Sequence, residues 1–274
     1  MPVLISSAAL DAARASSTPP RLLDVRWSLA QPNSLAEHAA GHLPGAVYVD
    51  LDTELADIGD PVRGRHPLPS REAFEAAARR WGLEDGDSVA VYDAGHGFGA
   101  ARAWWLLRHA GVEVRILDGG YAAWVLAGLP VETGEVTPAP GSATLGWGGM
   151  PVIEADDAAA WPAHGLLLDA RAGERFRGEV EPMDPVAGHI PGAINAPTSE
   201  NVAASGLFLS GAELEERFAG LGVTADADVA VYCGSGVTAA HQIAALEIAG
   251  VRAALYPGSW SEWANQGREV ATGA

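Results

Sequence analysis

Val229-Ala230-Val231-Tyr232-Cys233-Gly234-Ser235-Gly236-Val237-Thr238-Ala239 is the stretch that decides how this chain is read. Four apolar residues, three of them β-favouring, predict a buried strand over 229–232, and residues 238–249 carry a helical pattern closed by Gly250. Only small residues lie between the two. Strand, tight loop and helix make the unit of a parallel α/β sheet, whose crossovers are right-handed and whose functional loops lie at the carboxyl ends of strands. Cys233 stands at such an end.

Working outward, the same pattern occurs earlier in the chain. Val89-Ala90-Val91-Tyr92-Asp93 matches the strand that ends at Cys233, and 100–110 reads as the helix after it, closed by Gly111. Leu22-Leu23-Asp24-Val25-Arg26 is echoed by Leu167-Leu168-Asp169-Ala170-Arg171, and Gly41-His42-Leu43-Pro44-Gly45-Ala46 by Gly188-His189-Ile190-Pro191-Gly192-Ala193. Asp118-Gly119-Gly120-Tyr121-Ala122-Ala123-Trp124 pairs more loosely with the stretch from Tyr256 to Trp263. The order is kept throughout, so the chain reads as two homologous α/β domains, 1–133 and 151–274, joined by a linker at 134–150 that is rich in proline and glycine.

Composition narrows the chemistry. A chain of 274 residues, 48% hydrophobic, can build two cores of ordinary size. A net charge of -18 argues against nucleic acid, which demands a basic face. All 17 basic residues are arginine, which excludes lysine Schiff bases and lysine general bases. The beginning Met1-Pro2-Val3-Leu4-Ile5 lacks a charged leader, and no apolar run reaches the roughly 20 residues of a membrane span, so a cytoplasmic protein off the membrane is expected. One cysteine can form neither an internal disulfide nor a multi-cysteine metal site; it is a buried small hydrophobe or a reactive thiol.

Its neighbours favour the thiol. Gly234, Ser235 and Gly236 let the backbone curl around the sulfur with its amides facing inward, and a helix begins directly behind. Such a nest stabilises a thiolate, whose unperturbed pKa is about 8.5, and would equally stabilise the outer sulfur of a persulfide.

The paired Gly-His-Leu/Ile-Pro-Gly-Ala segments, the Asp169-Ala170-Arg171 strand end and the loop from Cys233 to Ala239 resemble the tandem rhodanese family over nearly the whole chain. The resemblance implies a sulfurtransferase with a catalytic second domain and an inactive first one, where Asp93 stands in the cysteine's place. Sulfur would pass from 3-mercaptopyruvate or thiosulfate through a Cys233 persulfide to cyanide, a thiol or a protein dithiol such as a thioredoxin-like partner. No cofactor or metal is implied, and a monomer is expected. Gly234-Ser235 is similar to the mercaptopyruvate type, in which Ser235, His66 and Asp52 match a proposed proton relay. A relay suits the chemistry, because removing sulfur from mercaptopyruvate leaves an enolate that must gain a proton. Arg175 matches the arginine that grips the donor anion, with Gly234, Gly236, Val237 and Thr238 lining the loop. That type also carries a second arginine soon afterwards, but Glu181-Pro182-Met183-Asp184-Pro185-Val186 contains none, which leaves Arg177 as the candidate substitute. Arg171 is read as a brace for Asp169.

Two rival readings make other demands on the sequence. A cysteine phosphatase of C-x5-R type needs an arginine where Ala239 stands. A sulfur-relay or redox-sensing protein would exchange persulfide with a partner and show little turnover of small donors. The nine tryptophans, with His42 and His189, read as packing and turn residues.

Overall fold

The computed structural model describes residues 2–274. They form two compact units. One holds the residues up to Asp57, Pro69–Met150 and Ala204–Phe208; the other holds Ile58–Leu68, Pro151–Ala203 and Leu209–Ala274.

In the first unit, β1 (Leu4–Ile5), β2 (Arg21–Asp24), β3 (Val47–Tyr48), β4 (Ser88–Tyr92) and β5 (Glu113–Leu117) form a parallel sheet in the order β1-β5-β4-β2-β3. In the second, β6 (Leu166–Asp169), β7 (Ile194–Asn195), β8 (Val229–Tyr232) and β9 (Ala253–Leu255) are parallel in the order β7-β6-β8-β9. Val152 adds a parallel bridge to Leu255 on β9, the place that β1 takes beside β5. The two units therefore share one topology, as the repeated landmarks require. Residues 89–92 of β4 and the whole of β8 are continuous apolar runs because sheets of this kind are covered on both faces.

Register places the repeated acid beside the repeated tyrosine. Asp24 pairs with Tyr92 and Asp169 with Tyr232 across the central strands. The Tyr92 hydroxyl donates to Asp24 at 2.9 Å, and Arg171 closes on Asp169 through Nε at 3.0 Å and Nη2 at 2.6 Å. Arg171 is thus the brace expected of it. Removing one member of such a buried pair typically costs about 3–5 kcal/mol, because the other charge is left uncompensated.

The helices Phe98–His109 and Val237–Ile248 follow β4 and β8, each beginning slightly before the span that the sequence predicts. Their N-caps, Gly97 at φ 83° and Gly236 at φ 79°, lie in the left-handed region, so the turns need glycine. Trp81, Trp104, Trp105, Trp124 and Trp260 are fully buried. His42 and His189 hold turns through Nδ1, against the carbonyls of His38 at 2.8 Å and Phe176 at 2.7 Å.

Three segments depart from the division read in the sequence, the shortest being Ala204–Phe208, which belongs to the first unit, where Phe208 N–H donates to Asp118 Oδ1 at 2.9 Å. Residues 134–150 are bound to the first unit rather than hanging as a linker: Gly141 N–H donates to Arg79 O at 2.8 Å and Ala143 N–H to Leu83 O at 3.0 Å. Ile58–Leu68, placed by sequence within the first domain, belong to the second unit. The Arg65 amide donates to Ser261 Oγ at 3.0 Å and Gln266 Nε2 to Val62 O at 3.2 Å, which fastens this stretch to the helix Ser259–Asn265. Among the described residues, no helix is long and apolar enough to cross a membrane.

Candidate active site

β8 delivers Cys233 to the carboxyl edge of its sheet, where the residue is only 1% exposed. The loop is held from outside by the start of the helix Ser259–Asn265. Trp260 N–H donates to Cys233 O at 3.0 Å and Ser261 N–H to Gly234 O at 2.9 Å, while Cys233 N–H donates to Ser259 Oγ at 3.1 Å. With its carbonyls turned outward, the loop turns an amide inward: Gly236 N–H donates to Cys233 Sγ at 3.1 Å. A side chain at Gly236 would put Cβ 2.4 Å from Pro257 O, so glycine is required by space as well as by φ. Val237 is buried and Thr238 half-buried on the first turn of the twelve-residue helix behind the sulfur.

Beside the cysteine, Ser235 Oγ and His66 Nδ1 lie 2.8 Å apart, and both residues are buried. His66 reaches Ser235 because Ile58–Leu68 packs within the second unit. Asp52 belongs to the first unit, where it accepts from Trp27 Nε1 at 3.0 Å. Burial raises the Asp52 carboxyl above its ordinary range against the pull of Trp27, and Asp50 adds to the rise.

Arg175 faces the loop and is gripped by Glu181, through Nε at 3.2 Å and Nη2 at 2.6 Å. Arg177 does not join it: its Nε and Nη2 pair with exposed Glu179 at 2.7 and 2.9 Å. The physical reason is position. Arg177 caps the short helix Gly173–Phe176, from which its side chain is exposed. A cation that sequence reasoning missed stands beside the loop: Arg65, paired with buried Asp184, reaches Gly234 O through Nη2 at 3.3 Å. Its only signal in the sequence is adjacency to His66.

The corresponding loop of the first unit is instructive. The Asp93 carboxylate accepts from Gly95 N–H and Gly97 N–H, each at 2.9 Å, and from Gly99 N–H at 3.2 Å. Burial pushes this carboxyl up, against the downward pull of the loop amides. An anion at that strand end collects inward-facing amides, although an aspartate cannot carry sulfur.

The rhodanese-like domain family matches the chain twice, over residues 7–127 and 154–266. SseB of Mycobacterium tuberculosis, named for thiosulfate sulfurtransfer, is 48% identical over 269 residues, 96% of this chain and 94% of its own length. The 3-mercaptopyruvate sulfurtransferase of Escherichia coli K12 is 40% identical over 239 residues, 84% of this chain and 83% of its own. The crystal structure of Escherichia coli SseA, described under the rhodanese fold and 3-mercaptopyruvate, superposes with a TM-score of 0.84 at 34% identity, covering 95% of this chain and 99% of that one. Two domain matches, a relative 48% identical along nearly the whole length and a shared three-dimensional structure place the chain in the rhodanese family, as a tandem-domain sulfurtransferase.

Proposed function

We propose that the chain takes sulfur preferentially from 3-mercaptopyruvate. The Cys233 thiolate attacks the donor's thiol sulfur, the carbon–sulfur bond breaks with its electron pair going to carbon, and the enolate of pyruvate leaves. Cys233 then carries a persulfide, its sulfur oxidised as the donor's carbon is reduced. The Gly236 amide, 3.1 Å from Sγ, favours the anionic sulfur before transfer. A nucleophilic acceptor, which is cyanide in an assay and a thiol or a thioredoxin-like dithiol in the cell, removes the outer sulfur and regenerates the thiolate. Because the chain has one cysteine, the reductant must come from outside.

The observation that carries the donor preference is the 2.8 Å contact between Ser235 and His66 beside the cysteine. A hydroxyl–imidazole pair is a proton path, which pyruvate enolate needs and departing sulfite does not. Asp52 enters as the third member on the family resemblance alone. With Gly234, Gly236, Val237 and Thr238 around the sulfur, Arg175 serves the donor's carboxylate. The relatives' names favour turnover of small donors over a pure sulfur-relay role. A cytoplasmic monomer completes the reading, and light scattering tests its oligomeric state.

Steady-state transfer to cyanide from both donors provides the functional test. Cys233→Ser is expected to abolish both activities; retained turnover would sink the persulfide mechanism. Ser235→Ala is expected to lower kcat with mercaptopyruvate by about 100-fold or more, the usual contribution of a positioned proton donor, and to leave thiosulfate turnover within a few-fold of wild type. Equal losses with the two donors would remove the relay.

A further inference from the structure

Gly234, next to the reactive cysteine, has two guanidinium groups over its Cα. A Cβ built there would lie 3.2 Å from Arg65 Nη2, 3.4 Å from Arg175 Nη1 and 3.7 Å from Arg175 Nη2. These nitrogens stand over the residue that directly follows Cys233.

Arg175 alone is a poor anion grip, because Nε and Nη2, the edge that could hold a carboxylate in two bonds, are already engaged by Glu181. Arg65 has capacity left. Nη1 meets Asp184, Nη2 makes only the 3.3 Å contact to Gly234 O, and buried Nε has no hydrogen-bond partner. A carboxylate already spans the two arginines: Asp184 pairs with Arg65 through Oδ1 and lies 3.6 Å from Arg175 Nη2 through Oδ2. The spacing of the guanidiniums therefore suits a carboxylate, one that arrives with the donor included.

We propose that Arg65 is a donor-binding residue, which together with Arg175 forms the carboxylate site over Gly234, and that Asp184 holds the two cations in place while the site is free. This rests on the reading of Cys233 as the acceptor of sulfur from an anionic donor. It gives the short, arginine-free segment Glu181 to Val186 a purpose, for that segment supplies the carboxylates that position cations coming from elsewhere in the chain.

The test exploits the fact that Arg65→Gln and Asp184→Asn break the same ion pair, but only the first removes the cation. Cys233 is alkylated with iodoacetate, which carries a carboxylate, and with iodoacetamide, which is neutral, and the ratio of the two rate constants is read by mass spectrometry. KM for 3-mercaptopyruvate is measured alongside. Arg65→Gln is expected to lower the ratio and raise KM by about tenfold, the scale of one charge-assisted hydrogen bond. Asp184→Asn is expected to keep the ratio at or above that of wild type, and Arg65→Lys to recover part of it. If Arg65→Gln leaves the ratio unchanged, or if both pair-breaking variants lower it alike, Arg65 is structural and the proposal falls. The ratio requires no sulfur transfer, so a failure of mercaptopyruvate as donor is separately visible in the turnover assay.

Discussion

Ser259 is the only non-glycine residue with positive φ among the described residues, at 55°. In the first unit the matching position in the loose repeat is Gly120, also at φ 55°. A non-glycine residue there bears about 1–2 kcal/mol of strain. What offsets it is the hydroxyl, which accepts from Cys233 N–H at 3.1 Å and donates to Tyr256 O at 2.9 Å, fixing the backbone that carries the sulfur. Strain and bond can be separated. Ser259→Ala keeps the strained backbone and orphans a buried amide, whereas Ser259→Gly orphans the amide but relaxes the backbone. The glycine variant is expected to unfold in urea about 1 kcal/mol later than the alanine variant, after allowance for glycine's greater freedom in the unfolded chain. Equal stabilities after the same allowance would mean that Ser259 bears no strain. At this scale the sequence was partly legible. Cys233 and its loop announce themselves by residue type, while the strain at Ser259 shows in sequence only as a serine where the other copy has a glycine.

At the scale of elements, the apolar runs of β4 and β8 and the helices after them were readable because burial on both faces leaves a local mark. The segment 134–150 was not, because backbone hydrogen bonds and polar side chains hold it, and these look the same in sequence as a linker. His109, at the end of the helix Phe98–His109, is the clearest such anchor. Amides of Gly148 and Met150 approach its ring nitrogens at 3.3 Å each, and the ring stacks on Trp105 with centroids 4.8 Å apart. Burial lowers the His109 pKa, with the Met150 carbonyl pulling the other way. A histidine depressed in the folded state binds fewer protons there than when unfolded. Its full contribution therefore holds above the ordinary value near 6.5 and is lost as pH falls through and below it. The urea midpoint of the first unit is expected to drop between pH 7 and about 5.5, and His109→Gln to flatten that part of the profile. An unchanged slope in the variant would assign the pH dependence to another group. The unit to which Ile58–Leu68 belongs is not legible for a related reason: Arg65 and Ser261 are far apart in the chain, and no local pattern encodes their hydrogen bond.

For the whole molecule, the net charge of -18 was plain from composition, but how charges group was not. Around the cysteine loop the arginines are matched by acids: Arg171 by Asp169, Arg175 by Glu181, and Arg65 by Asp184. A balanced cluster projects little field, so an anionic donor at a distance meets the excess of acids and only on contact meets the guanidiniums over Gly234. These two influences differ in range and can be resolved with salt. The screening length is about 30 Å at 0.01 M ionic strength and about 8 Å at 0.15 M, so salt removes the long-range repulsion well before it weakens contacts near 3 Å. Raising ionic strength over that interval is expected to increase kcat/KM for 3-mercaptopyruvate severalfold, to change kcat little, and to leave alkylation of Cys233 by neutral iodoacetamide unaffected. A fall in kcat/KM with salt would reverse the argument, since it would mean that the donor is drawn in by an uncompensated cation and that the pairing of Arg65 and Arg175 with Asp184 and Glu181 opens before the donor arrives.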